Sequence, residues 1–206
     1  MTKKKILLTG FGKFNGVDDN PSSHLINEIN IHLSTYNPKD LQFELVNTQV
    51  LEVSGRGVTE YLKDVEDKYL INLDDIILLH LGVASQSQNI ALERFGWNKA
   101  NFRTPDERGW SPVDQDIQPN EKRVNIETKL PLKTFVDNLS KRHKVFESED
   151  PGRFICNYLY YLSLSKTLLK KDLHSLFVHI PPFEVIDKQS QLMFLVDLMN
   201  EISTTV

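Results

Sequence analysis

Apolar positions along this chain fall into two alternating rhythms. Residues 4 to 9 hold the run Ile6, Leu7 and Leu8, which reads as a short buried strand. Asn20 then supplies an N-cap and Pro21 a first helical residue. Leu25, Ile29 and Leu33 keep helical spacing, so the pattern predicts an amphipathic helix over 21–35. QFELVNTQVL, 42–51, predicts a strand, and Val58, Tyr61, Leu62, Val65 and Tyr69 predict a second helix. DIILLHLGV, 75–83, is continuously apolar, as a central strand buried on both faces would be. QNIALERF, 88–95, reads as a further strand. From Trp97 to Pro131 the rhythm stops. The segment is polar, holds Pro105, Pro112 and Pro119, and is either a lid over a site or a disordered insert.

The rhythm resumes with a helix in LPLKTFVDNLSKRH and a strand in KVFES. Asp150 and Pro151 signal another helix start. The stretch after it is uncharged from Phe154 to Ser165, which implies burial on most sides. SLFVHIPP, 175–182, is a strand stopped by two prolines, and Leu192, Leu195, Val196, Met199 and Ile202 mark a last helix. Strands alternating with helices predict a layered α/β domain around a mostly parallel sheet.

Composition narrows the function classes. A length of 206 residues suits one sizeable domain. The net charge is −4, from 24 basic and 28 acidic residues, which argues against nucleic acid or an anionic membrane as the main partner. The opening MTKKKILLTGFGKF has a basic run, but its apolar stretch is too short for a signal peptide. No apolar stretch is long enough to cross a bilayer. A single cysteine cannot form an internal disulfide, which fits a reducing compartment and predicts a cytoplasmic protein.

Four places could carry chemistry. Cys156 falls about one turn into the helix that Asp150 and Pro151 announce, and the partial positive charge of a helix N-terminus favours a thiolate. The plainer reading is a small core residue on an apolar helix. His179 ends an apolar strand, where ligand and catalytic groups of α/β sheets gather. The alternative is a hydrogen-bonded core histidine, and His80, flanked by apolar residues, fits that alternative better. His24, His32, His143 and His174 fall in helical or turn contexts that read as exposed. Glu93 could orient a histidine ring, or be an ordinary solvated carboxylate. Gly10, Gly12 and Gly16 follow a strand and precede a helix, but the spacing is not that of a phosphate loop. Phe11 and Phe14 in that turn suggest a small apolar pocket, or two core rings. No metal-ligand spacing is present.

Taken together, LLTGFGKFNGVDDNPS, ALER, FRTPDERG, LPLKTF, DPGRFICNYLYYLSL and LFVHIPPF occur in the order found in the pyroglutamyl-peptidase I, or pyrrolidone-carboxylate peptidase, family of cysteine peptidases. The chain resembles that family over nearly its whole length. The resemblance implies a single-domain, three-layer α/β/α sandwich around a twisted, mostly parallel sheet, and no cofactor. It makes Cys156 the nucleophile, His179 the acid–base and Glu93 the orienter. Phe11 and Phe14 fall on the aromatic positions that hold the pyroglutamyl ring. Arg103 and Asn98 fall on polar positions near the site, and Asn20 on the asparagine that braces the turn. Lys13, Asn15, Val83 and Pro151 depart from residues common in the family. They bear on substrate affinity more than on reaction class.

The implied substrate is a peptide whose N-terminus is closed as a five-membered lactam. Thiolate attack on the next carbonyl would be assisted by backbone N–H groups at the helix start and by Arg103. A thiol hydrolase with another small acyl substrate, or a non-catalytic binding protein on the same scaffold, are the competing expectations. The family includes monomers and tetramers, so the resemblance allows a homo-oligomer.

Overall fold

The computed structural model describes residues 3–14, 19–36 and 41–206. Strand β1 (Lys4–Phe11) is followed by helix α1 (Pro21–Tyr36), whose start is fixed as the sequence predicts. Asn20 Oδ1 accepts from Ser22 N at 3.1 Å and from Ser22 Oγ at 2.8 Å. Strand β2 (Phe43–Leu51) comes next, then α2 (Gly55–Val65), which widens into a π turn over Glu66–Leu70. Ser54 caps α2 by accepting from Gly57 N at 2.9 Å. The chain continues through β3 (Ile76–Val83), β4 (Ile90–Glu93), β5 (Phe95–Trp97) and β6 (Asn125–Glu127). It ends with α3 (Leu132–Leu139), β7 (Val145–Ser148), α4 (Ile155–Thr167), β8 (Leu173–Ile180) and α5 (Lys188–Thr205).

Six strands form one sheet in the order β2-β1-β3-β8-β4-β7. All neighbours are parallel except β4 and β8. Helices α1, α3 and α5 pack on one face of the sheet, and α2 and α4 on the other. This is the three-layer α/β/α sandwich that the resemblance implied. Strand β3 is buried at seven of its eight positions, as a middle strand covered on both faces must be. The chain runs outward from β1 to β2 on one side and from β3 to β8 on the other. A crevice therefore opens beyond the carboxyl ends of β1 and β3.

Three expectations need correction. The helix announced by Asp150 and Pro151 starts later, at Ile155. Asp150 instead accepts from Gly152 N at 3.0 Å, closing a turn that needs the positive φ of Gly152, +79°. Phe154 is extended and acts as N-cap, so Cys156 is the second residue of its helix. Second, His32 is buried, its ring 4.6 Å from that of Tyr36. Third, His143 is nearly covered, its Nε2 pairing with Asp197 at 2.7 Å, and His174 lies half-buried inside strand β8 instead of exposed in a turn.

The residues between Trp97 and Pro131 are neither a free insert nor a regular element. Strands β5 and β6 pair antiparallel at its ends, and Ala100 bridges to Gln115. Side-chain bonds to backbone do the rest. Asp106 Oδ1 accepts from Arg108 N and Trp110 N, each at 2.9 Å, while its Oδ2 accepts from Gly55 N at 2.8 Å. Such bonds give order without a hydrophobic period.

Candidate active site

Strand register brings a carboxylate and an imidazole together. Ala91 of β4 lies opposite His179 of β8, and Glu93 opposite Phe177. Glu93 is thus the diagonal neighbour of His179 on the same face. His179 Nδ1 meets Glu93 Oε1 at 2.7 Å. The two residues are 8% and 2% exposed, so the contact is shielded from solvent. The backbone carbonyl of Glu93 accepts from the Tyr160 hydroxyl at 2.7 Å, which ties the end of β4 to α4. Glu93 Oε2 has no hydrogen-bond partner among the described residues. The imidazole is therefore the group that balances this buried carboxylate.

Cys156 reaches the other side of the ring. Burial alone would lower the pKa of His179. Hydrogen bonds to Cys156 and Glu93, with the negative charges of thiolate and carboxylate, more than offset it and raise the pKa to about 10. At neutral pH that keeps the ring protonated. The thiol has room because residue 82 lacks a side chain. Gly82 lies beside His179 in the sheet, and a Cβ there would sit 2.9 Å from Cys156 Sγ and 2.8 Å from Phe177 Cζ. The backbone N–H of Cys156 belongs to the first turn of α4, where intrahelical partners are lacking.

A cleft of about 890 Å³ opens near the crevice beyond β1 and β3; Glu93, Cys156 and His179 are not in its wall, but chain neighbours of Gly82 and Cys156 are. Phe14, Val83, Arg103 and Phe154 are in its wall. Val83 follows Gly82, and Phe154 precedes Cys156 by two residues. The Phe14 and Phe154 rings lie 5.0 Å apart, and Phe102 packs on Phe154 at 4.7 Å. Arg103 is exposed in this wall, carried there by the segment that the sequence marks as irregular.

The other predicted residues lie outside the wall. Phe11 is 4% exposed in the core layer under α2 and α4. Its backbone N donates to Ser22 Oγ at 3.0 Å. Asn20 Nδ2 donates to Gly12 O at 2.9 Å, bracing the turn between β1 and α1. Asn98 is buried and clamps the irregular segment. Its Nδ2 donates to Gln118 O at 3.0 Å and its Oδ1 accepts from Gln118 N at 2.8 Å. Asn15 and Gly16 lie outside the described residues.

Sequence reasoning passed over two residues. Gly82 ends an apolar strand, and an isolated glycine in a strand signals close approach of another group. Asn157 is fully buried on an otherwise apolar helix, which demands partners. Its Oδ1 accepts from Trp97 N at 2.8 Å, and its Nδ2 donates to Trp97 O and Lys99 O, each at 2.9 Å. Asn157 thus fastens the start of the irregular segment to the helix that bears Cys156.

Comparison with known proteins gives a consistent set of relatives. A family model described as pyroglutamyl peptidase matches residues 4–200. A pyrrolidone-carboxylate peptidase of Pyrococcus furiosus is 32% identical over 189 residues, covering 89% of this chain and 85% of its own. One of Treponema denticola is 32% identical over 196 residues, covering 89% of this chain and 82% of its own. Among solved structures, the pyrrolidone carboxyl peptidase of Fervidobacterium islandicum AW-1 is similar with a TM-score of 0.83 at 28% identity, covering 99% of this chain and 100% of that one.

Proposed function

The chain belongs to the pyroglutamyl peptidase family, and from that premise we propose that it hydrolyses the bond after an N-terminal pyroglutamyl residue, with Cys156 as nucleophile. The observation that carries the reading is the buried Glu93–His179 contact at 2.7 Å, with Cys156 hydrogen-bonded to the same ring. That is a nucleophile, a base and an orienting group in sequence.

The Cys156 thiolate attacks the carbonyl that joins pyroglutamate to the next residue, forming a C–S bond. N–H groups at the start of α4 face the developing oxyanion. The C–N bond breaks as the His179 imidazolium gives its proton to the leaving amine. The ring, now neutral, takes a proton from water. The resulting hydroxide attacks the thioester and frees pyroglutamate and the thiolate. Glu93 keeps the imidazole in one orientation throughout.

The substrate has no terminal ammonium, so an aromatic slot suits it better than an acidic one. Phe14 against Phe154 supplies that slot in the cleft wall, with Phe11 beneath and Asn20 holding the turn in place. Asn98 and Asn157 serve by fixing the segment that carries Arg103. We assign residues 1–206 to one such domain. The lone thiol supports a reducing, cytoplasmic setting. The test is release of a fluorophore from a pyroglutamyl amide beside the matching prolyl amide. Cleavage of the first alone supports the reading, because proline lacks the ring carbonyl that a lactam site would bond. Cleavage of neither, or of both equally, contradicts it.

A further inference from the structure

The cleft wall carries a charge that the pyroglutamyl ring cannot use. Among the described residues, three charged side chains line it: Arg103, Asp150 and Arg153. Asp150 and Arg153 pair with each other, and the Arg153 guanidinium also lies over the Trp97 ring, 4.7 Å from its centroid. Arg103 is exposed and pairs with no carboxylate among the described residues. The lactam is neutral, so this cation has no charged counterpart in the pyroglutamyl ring. The cleft holds about 890 Å³, within the range of roughly 300–1,000 Å³ that accommodates a whole drug-sized ligand. A single five-membered ring fills a small part of it. The rest is room for the peptide beyond the scissile bond.

We propose that Arg103 is a specificity-determining residue for the leaving segment, favouring peptides with a carboxylate shortly after the scissile bond. This rests on the pyroglutamyl-peptidase reading. The carboxylate comes from an acidic side chain or from the free C-terminus of a short peptide, and the guanidinium accepts both through the same forked geometry. Because Arg103 is exposed, its contribution is that of a surface ion pair, roughly two- to fivefold in kcat/KM. Salt weakens it for the same reason.

The experiment measures kcat/KM for four pyroglutamyl tripeptides: a neutral amide ending in alanine, its free acid, and amides ending in glutamate or lysine. The wild type is expected to prefer the glutamate peptide, the free acid or both over the neutral amide, with lysine last. Which of the two gains identifies the source of the carboxylate. The preference shrinks at high salt, survives in Arg103→Lys, and falls to a ratio near one in Arg103→Gln. Equal rates across the set in the wild type overturn the proposal while leaving the activity intact. So does a loss in Arg103→Gln by one common factor on every peptide, which would place Arg103 at the reacting carbonyl or in the fold. A wild type that cleaves none of the four overturns the activity itself, and the proposal with it.

Discussion

Two buried histidines on neighbouring strands show how one residue type is driven in opposite directions. His80 of β3 and His179 of β8 point to the same face, with Phe177 between them at ring separations of 6.3 Å and 4.8 Å. His80 is fully buried, and its Nδ1 shares a 2.7 Å hydrogen bond with the Thr9 hydroxyl. Burial pushes its pKa down to about 3. His179 is nearly as deep, yet its pKa rises to about 10. A neutral hydroxyl cannot repay the desolvation of a cation, whereas a carboxylate and a thiolate can. The partners, not the depth, separate a histidine held neutral from one held protonated.

The strongest way to break the comparison removes the thiolate. Cys156→Ala is expected to reduce turnover by at least about 10⁴-fold. It also lowers the His179 pKa, readable from ring resonances in a pH titration. Glu93→Gln is next, with turnover down by about 10²- to 10⁴-fold. Loss of the carboxylate draws the His179 pKa down toward an ordinary value near 6.5. Gly82→Ala sharpens the geometric side. Its new Cβ meets Cys156 Sγ at 2.9 Å and the buried Phe177 ring at 2.8 Å. Turnover falls by about 10²-fold as the thiol shifts, at an overpacking cost of about 1–3 kcal/mol in thermal unfolding.

His80→Leu has the smallest effect on turnover, which stays near wild type. It leaves the Thr9 hydroxyl unpaired, a cost of about 1–3 kcal/mol at neutral pH. Its signature is in pH dependence. His80 has a folded pKa below its unfolded value, so its contribution is complete above about 6.5 and is lost as pH falls toward about 3. His179 has a folded pKa above its unfolded value, so its contribution is complete below about 6.5 and is lost as pH rises through about 10. Denaturant unfolding across pH should therefore show a flatter acid limb in His80→Leu and a flatter alkaline limb in Glu93→Gln.

Much of this was legible in the sequence where local pattern and tertiary role agree. The apolar run of β3, the Asn20–Pro21 helix start and the histidine closing β8 each carry their own signal. Other features depend on distant partners. The antiparallel β4 reads like any short apolar strand, because pairing direction is not written in local periodicity. The start of α4 misled because Asp150 closes a turn with Gly152 instead of capping the helix. Local pattern alone leaves Glu93 open between an orienting and a solvated carboxylate, because its place beside His179 depends on strand register. The segment from 97 to 131 shows no period because Asn98, Asp106 and Asn157 order it through backbone bonds.

The most direct measurement is to quench wild-type enzyme with acid during turnover of a pyroglutamyl amide, weigh the intact chain and map the adduct, beside Cys156→Ala assayed on the same substrate. The expected result is a mass increment of one pyroglutamyl group on the peptide containing Cys156, with no adduct and no turnover in the variant. Turnover by Cys156→Ala near the wild-type rate, or an acyl group mapped to another residue, would contradict the account.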